Sequence, residues 1–114
     1  MEIRVLAHSI TRDELKRIAR EQFGDFVKAV VDVERGIVAL GGELHADAEA
    51  VLLESGSTQE NLWGINFYPE KSQDEWIEFH SMIKIRPSLD NRSWDVENPA
   101  MRAKIASVIE TFIL

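Results

Sequence analysis

The feature that most constrains this 114-residue chain is the arrangement of its hydrophobic residues, which follows the pattern of strands in some segments and the pattern of helices in others. Three segments alternate apolar and polar residues, as half-buried strands do, and Ile3, Val5 and Ala7 form the predicted inward face of the first. Two further predicted strands are runs rich in β-branched residues. Two other segments repeat apolar residues at helical spacing, and a third is rich in helix-forming residues. The predicted strands cover residues 2–8, 26–33, 37–41, 61–68 and 76–86, and the predicted helices cover 12–22, 46–55 and a final segment from Asn98.

Local signals mark several boundaries of these segments. Thr11 followed by Glu14 is a capping box that starts the first helix. Gly36 supplies the left-handed position of a hairpin turn between the second and third strands. Asn98 as N-cap and Pro99 as first helical residue start the last helix, so the predicted order is βαββαββα.

The patterns favour an α+β fold, because each predicted strand and helix has one apolar face to bury. We expect a two-layer sandwich in which a mostly antiparallel five-stranded sheet carries three helices on one face. The other face mixes charged, polar and apolar side chains, which predicts that a partner subunit or a ligand covers it. A homo-oligomer formed through this face is therefore expected.

Composition narrows the function classes. The chain has no cysteine, which excludes disulfides, thiolate nucleophiles and cysteine-ligated metals. Its net charge of −7 is concentrated in residues 36–79, which hold one basic and nine acidic side chains, and this argues against nucleic-acid binding. No apolar run approaches the ~20 residues that span a bilayer, so a single cytoplasmic domain without a membrane partner is expected.

The densest polar motif is GGELHADAE. A strand or a helix would gather its carboxylates and imidazole on one side, which suits a divalent metal cofactor. The alternative is structural: Asp47 caps the second helix, and His45 bonds to backbone. The candidate metal ligands are Glu43, His45, Asp47 and Glu49.

Two further groups are candidates for binding a small molecule. Asn66 and Tyr68 face away from the predicted core of the fourth strand, and Glu78 and His80 share a face of the fifth. The loop that follows carries donors that would grip a carboxylate or phosphate. These donors are Arg86, Asn91 and Arg92.

Several phrases of the sequence are distinctive as a set. They are VKAVVDVERGIVALGGELHADAEAVLLESGS, LWGINFYP, IEF, and IRP followed by NRS, all within residues 26–93. In these phrases the chain resembles a small family of bacterial and archaeal proteins of unknown function. The resemblance implies a stand-alone single-domain protein and brings no catalytic or ligand residue with it.

Two functions remain after this reasoning. The favoured one is a metal-binding or small-ligand-binding module that associates with itself. The alternative is a small metal-assisted hydrolase, in which the acidic motif binds the metal and Arg86 and Arg92 hold an anionic substrate. The hydrolase requires the two segments to meet in one pocket, whereas the module does not.

Overall fold

The structure is a computed structural model, and it describes residues 1–80, 96 and 98–114. The elements follow the predicted order. The strands are β1 (Ile3–Val5), β2 (Val27–Asp32), β3 (Ile37–Gly41), β4 (Leu62–Phe67) and β5 (Ile77–Glu78). The helices are α1 (Arg12–Gln22), α2 (His45–Glu54) and α3 (Pro99–Phe112), with a 3-10 turn at Gln59–Asn61.

The five strands form one sheet in the order β1-β3-β2-β4-β5, and every pair is antiparallel. This confirms the predicted α+β class with an antiparallel five-stranded sheet. The predicted pairing of the fourth and fifth strands is also confirmed, with Asn66 opposite Glu78 and Phe67 opposite Ile77. The predicted fifth strand continues into residues 81–86, which lie outside the described residues.

The helices lie on both faces of the sheet, which differs from the predicted placement on one. On one face, α1 and α3 bury Leu15 and Ile105 in the larger core, against strand residues such as Ala29. On the other face, Ala48 and Leu52 of α2 pack on a smaller apolar cluster. The sheet is therefore the middle layer of the structure.

The strand order explains this placement. The connections β1-α1-β2 and β3-α2-β4 each join parallel strands across one intervening strand, and both step in the same direction along the sheet. Because β1 and β3 run in opposite directions, two crossovers of the same hand must lie on opposite faces. The sheet face that was predicted to be covered by a partner subunit or a ligand is therefore partly covered by α2.

The predicted local signals have the expected roles. The Thr11 hydroxyl accepts from the Glu14 amide at 3.1 Å, and the Asn98 side chain accepts from the Ala100 amide at 2.8 Å. Gly36 has a φ of 65°, as its turn requires. The predicted inward face of the first strand is wrong for Val5 and Ala7, which are exposed. Leu6 is buried instead, because its side chain joins the core under α1 and α3.

The face under α2 divides into two halves along the strands. The apolar half consists of Val30, Ala39 and Leu62, which α2 covers. The polar half lies next to it, on the parts of β2, β4 and β5 that the apolar residues of α2 do not cover. Its residues are Lys28, Asn66 and Glu78. These three residues are neighbours in register, since Asn66 pairs with Lys28 on one side and with Glu78 on the other. The first residue of α2 lies over this polar half.

Candidate functional site

His45, the first residue of α2, ties the helix to the sheet. Its side chain is buried, and its Nε2 lies 2.8 Å from the carbonyl oxygen of Ile65 in β4. Burial lowers the pKa of His45 below its ordinary value of 6.5, and the nearby positive charge of Lys28 lowers it further. The bond to Ile65 and the adjacent Asn66 amide oppose this shift without reversing it. The ring is therefore neutral at pH 7.

Asn66 occupies the middle of the polar half. Its side chain is 7% exposed, and its Nδ2 donates a hydrogen bond of 2.7 Å to a carboxylate oxygen of Glu78. Its Oδ1 is buried and makes no well-aligned hydrogen bond among the described residues, although the Asn66 side chain lies close enough to the His45 ring to raise the pKa of that ring by hydrogen bonding. A buried amide oxygen in this condition is uncommon in folded proteins, and a water molecule, an ion or a ligand can supply its missing bond.

Glu49 carries another buried acceptor that lacks a partner on this side of the sheet. It lies one turn after His45 on the buried side of α2 and is 8% exposed, and within the described part of the chain its Oε2 accepts no hydrogen bond. Side chains at this spacing on a helix are neighbours. In β4, Gly64 lies between Leu62 and Asn66 on the same face and brings no side chain into this space. We name His45, Glu49 and Asn66 the acceptor cluster.

Aromatic and charged side chains border the acceptor cluster. The ring of Tyr68 stacks on Phe26 at 5.3 Å, and Phe26 stacks on Phe23 at 4.6 Å. The Nζ of Lys28 lies 5.4 Å from the centre of the Phe23 ring. Burial raises the pKa of Tyr68, and the carboxylate of Glu78 adds to the increase. The border is therefore partly apolar and carries charges of both signs.

The four candidate metal ligands do not converge. Glu43 is exposed, and Asp47 accepts from the Leu44 amide at 3.2 Å, which caps α2. His45 bonds to backbone, and Glu49 points to the sheet from the next turn. Of the residues that the structure describes, no three His, Cys, Asp or Glu side chains are grouped to hold a metal ion. The geometry of Asp47 and His45 is that of the structural alternative.

The candidate ligand residues divide into two sets. Asn66, Tyr68, Glu78 and His80 meet at the polar half of the sheet, because β4 and β5 are paired there. His80 is close enough to lower the pKa of His45 by its charge. The remaining candidates, Arg86, Asn91 and Arg92, lie outside the described residues. The hydrolase hypothesis requires the acidic motif and these arginines to line one pocket. The described residues contain no such pocket, because the arginines are not among them.

Sequence reasoning missed a second polar network at the far end of the same face. Asp32, which is fully buried, accepts from the Glu34 and Arg35 amides at 2.9 Å each. Its other oxygen accepts from the Ser57 hydroxyl at 2.6 Å, and Arg35 donates to that hydroxyl at 2.8 Å. An aspartate that ends a strand before a turn is the signal that would have indicated it.

The fold and the site together define a class: an α+β domain whose sheet lies between helices and carries a buried, incompletely bonded polar cluster on one face. Residues 4–112 match the model of a family described as Protein of unknown function (DUF5674). The chain belongs to this family, as its resemblance indicated. No curated protein and no solved structure matches the chain.

None of the helices in residues 1–80 and 98–114 has the length and apolar character needed to cross a bilayer.

Proposed function

We propose that this protein is a binding module for a small polar ligand, and that the ligand occupies the acceptor cluster. The observation that carries the proposal is a pair of buried acceptor atoms, Asn66 Oδ1 and Glu49 Oε2, in side chains that are 7% and 8% exposed, neither of which accepts a well-aligned hydrogen bond from the described residues. Leaving such an atom unpaired costs about 1–3 kcal/mol. A ligand that donates a hydrogen bond removes this cost.

The position of Asn66 suits recognition. Its amide is held by Glu78, its strand is paired on both sides, and Glu49 supplies a second unpaired acceptor from the helix above. Groups on paired strands and packed helices hold their geometry better than groups on loops do. The stacked rings of Phe26 and Tyr68 give the border an apolar contact surface. Few polar groups within apolar walls are typical of small-ligand sites.

A thermal-shift screen tests the proposal, because a ligand that binds only the folded state raises the melting temperature. The panel contains butylammonium, butanol and butyrate as cationic, neutral and anionic probes, with Mg²⁺, Mn²⁺, Zn²⁺ and Ca²⁺ as metal probes. We expect at least one probe to give a saturable increase. The increase should be lost in Asn66→Leu and in Glu49→Gln, which both keep the side-chain volume.

The control is Glu54→Gln, which makes the same chemical change at an exposed position of α2. It should respond to the probes as the wild type does. A panel in which no probe gives a saturable shift contradicts the proposal. A shift that survives both Asn66→Leu and Glu49→Gln contradicts the location of the site.

A further inference from the structure

We propose that two copies of this chain pair through β1, the strand at one edge of the sheet, and form a dimer whose two sheets are continuous. Within the described part of the chain, β1 has a neighbouring strand on one side only, which is β3. An edge strand presents amide and carbonyl groups to which another strand can bond. The contact involves neither the acceptor cluster nor its ligand. It also differs from the sheet-face contact expected from the sequence, because α2 partly covers that face.

The pairing of β1 with β3 determines which backbone groups of β1 point outward. The Leu6 amide donates to the carbonyl of Val38 at 2.9 Å, which extends the β1-β3 register by one residue. In an antiparallel pair, residues that bond to the neighbouring strand alternate with residues whose amide and carbonyl point the other way. Leu6 and Arg4 therefore bond to β3, whereas the backbone groups of Ile3 and Val5 point to the open edge. A second strand can bond to β1 through these odd-numbered residues.

The alternation leaves few registers for two copies of β1, and one of them opposes unlike charges. Two identical antiparallel strands are related by a twofold axis. With the axis at Ile3, Glu2 of each copy lies directly opposite Arg4 of the other. With the axis at Glu2 or at Arg4, like charges face each other. With the axis at Val5, the paired segment would include residues 7–8, where the chain bends. The register centred on Ile3 is therefore the one that the sequence of the edge favours.

The charges beside the edge are placed for this register. The Arg4 side chain is 39% exposed and lies on the α1 face of the sheet, 3.4 Å from Glu14 and 4.0 Å from Glu2 of its own chain. In the dimer, two Glu2 and two Arg4 side chains form a group on this face in which neighbouring charges are opposite in sign. Opposite charges at directly opposed positions stabilise a pair of strands, and like charges destabilise it.

The odd-numbered side chains supply the apolar part of the contact. The chain already follows β3 before β1 begins, since a Cβ placed on Gly41 would meet the Glu2 carbonyl. Met1 and Val5 are 59% and 42% exposed, and they lie opposite each other in this register, beside the paired Ile3 side chains. No proline or lysine occupies residues 1–5 to block pairing. Because the paired segment is short, we expect a weak dimer that forms between micromolar and millimolar concentration.

Sedimentation velocity of the full chain over this concentration range is the first test. We expect a concentration-dependent dimer of two 13.0 kDa chains. Arg4→Glu and Glu2→Arg should each weaken the dimer about tenfold or more, because each substitution places like charges opposite one another at two positions. An equimolar mixture of the two variants should restore the dimer as a heterodimer, since every opposed pair is then unlike in charge. Arg20→Glu, the same charge change at an exposed position of α1, should leave the dimer unchanged.

Hydrogen exchange of individual amides, followed by NMR, locates the contact. The amides of Ile3 and Val5 should become protected as the protein concentration increases, because they then bond to the other copy. The Leu6 amide is the matched control on the same strand. It bonds to Val38 within the chain and should have the same protection at every concentration.

Four results would overturn the proposal. The first is a protein that stays monomeric up to millimolar concentration. The second is a dimer that Arg4→Glu and Glu2→Arg both leave unchanged, or that their mixture does not restore. The third is a dimer in which the Ile3 and Val5 amides exchange rapidly, which would place the contact on another surface. The fourth is protection of these amides in a monomer, which would show that a segment of the same chain occupies the edge.

Discussion

Two buried polar groups on the same face of the sheet differ in how completely they are bonded. Asp32 lies at the end of β2 and is fully buried, and it accepts three hydrogen bonds from Glu34, Arg35 and Ser57. Asn66 lies at the other end of the face, and its Oδ1 accepts no well-aligned hydrogen bond from the described residues. The Asp32 network is complete, whereas the acceptor cluster is not.

Asp32, with its hydrogen bonds complete, stabilises the fold, whereas the unpaired atoms of the acceptor cluster lower the stability of the fold. A buried polar atom is expensive only when its hydrogen bonds are missing, so Asp32 is compensated and Asn66 and Glu49 are not. Stability that is given up at one place is typical of a binding site, where the ligand supplies the missing bonds. The two ends of one face should therefore respond to mutation with opposite signs.

The largest effect is expected at Asp32. Asp32→Ala should lower the free energy of unfolding by about 3 kcal/mol, because it removes three hydrogen bonds to a buried carboxylate. Urea denaturation followed by circular dichroism measures the change. Ser57→Ala, which removes one of the three bonds, should lose about 1 kcal/mol. A loss below 1 kcal/mol in Asp32→Ala would show that the network does not stabilise the hairpin.

The opposite sign is expected at Glu49. Glu49→Met should raise the free energy of unfolding by about 1 kcal/mol, because a buried carboxylate oxygen without a partner is replaced by an apolar group. The same denaturation experiment applies. Glu54→Met is the matched control at an exposed position of α2 and should stay within about 0.5 kcal/mol of wild type. Equal destabilisation by both Glu49→Met and Asp32→Ala would remove the distinction between the two ends.

The smallest effect is a pH dependence from His45. Its pKa is lower in the folded state than the ordinary 6.5, so the unfolded state binds more protons as the pH falls below 6.5. The stability it contributes is complete above pH 6.5 and decreases as the pH falls toward the folded pKa. One such group changes the unfolding free energy by at most about 1.4 kcal/mol per pH unit.

Unfolding curves between pH 5 and 8 measure this dependence. His45→Gln should flatten the slope, since a glutamine amide does not titrate in this range. His8→Gln, a change at an exposed histidine, should leave the slope as it is in the wild type. An unchanged slope in His45→Gln would assign the pH dependence to other groups.

The local elements of this fold were predictable from the sequence, because each has a local cause. Thr11 and Asn98 cap the helices that follow them, and the alternation around Asn66 assigned its side chain to the polar face. The side of the sheet on which α2 packs was not predictable. It depends on the strand order, since β2 lies between β3 and β4, and no local pattern records that order.

The candidate site was predictable in part, for a similar reason. Periodicity placed Asn66, Tyr68 and Glu78 on one face, and pairing of β4 with β5 joins them. The acidic motif suggested that four residues share a site, but α2 begins at His45 and turns Asp47 away from Glu49. Which polar atoms lack partners depends on distances between elements, so the unpaired oxygens of Asn66 and Glu49 required the tertiary structure.

The segment before α1 and the residues after α3 are joined by a short parallel bridge, and this has a kinetic consequence. Ile10 pairs with Ile113, and the Leu114 amide donates to the Ile10 carbonyl at 2.9 Å. The paired residues are about 100 positions apart, so the bridge closes one of the longest loops in the chain. Contacts of such separation slow folding. During synthesis, the residues just before α1 can therefore form these bonds only after residues 112–114 have been made. The Thr11 side chain that caps α1 is available much earlier.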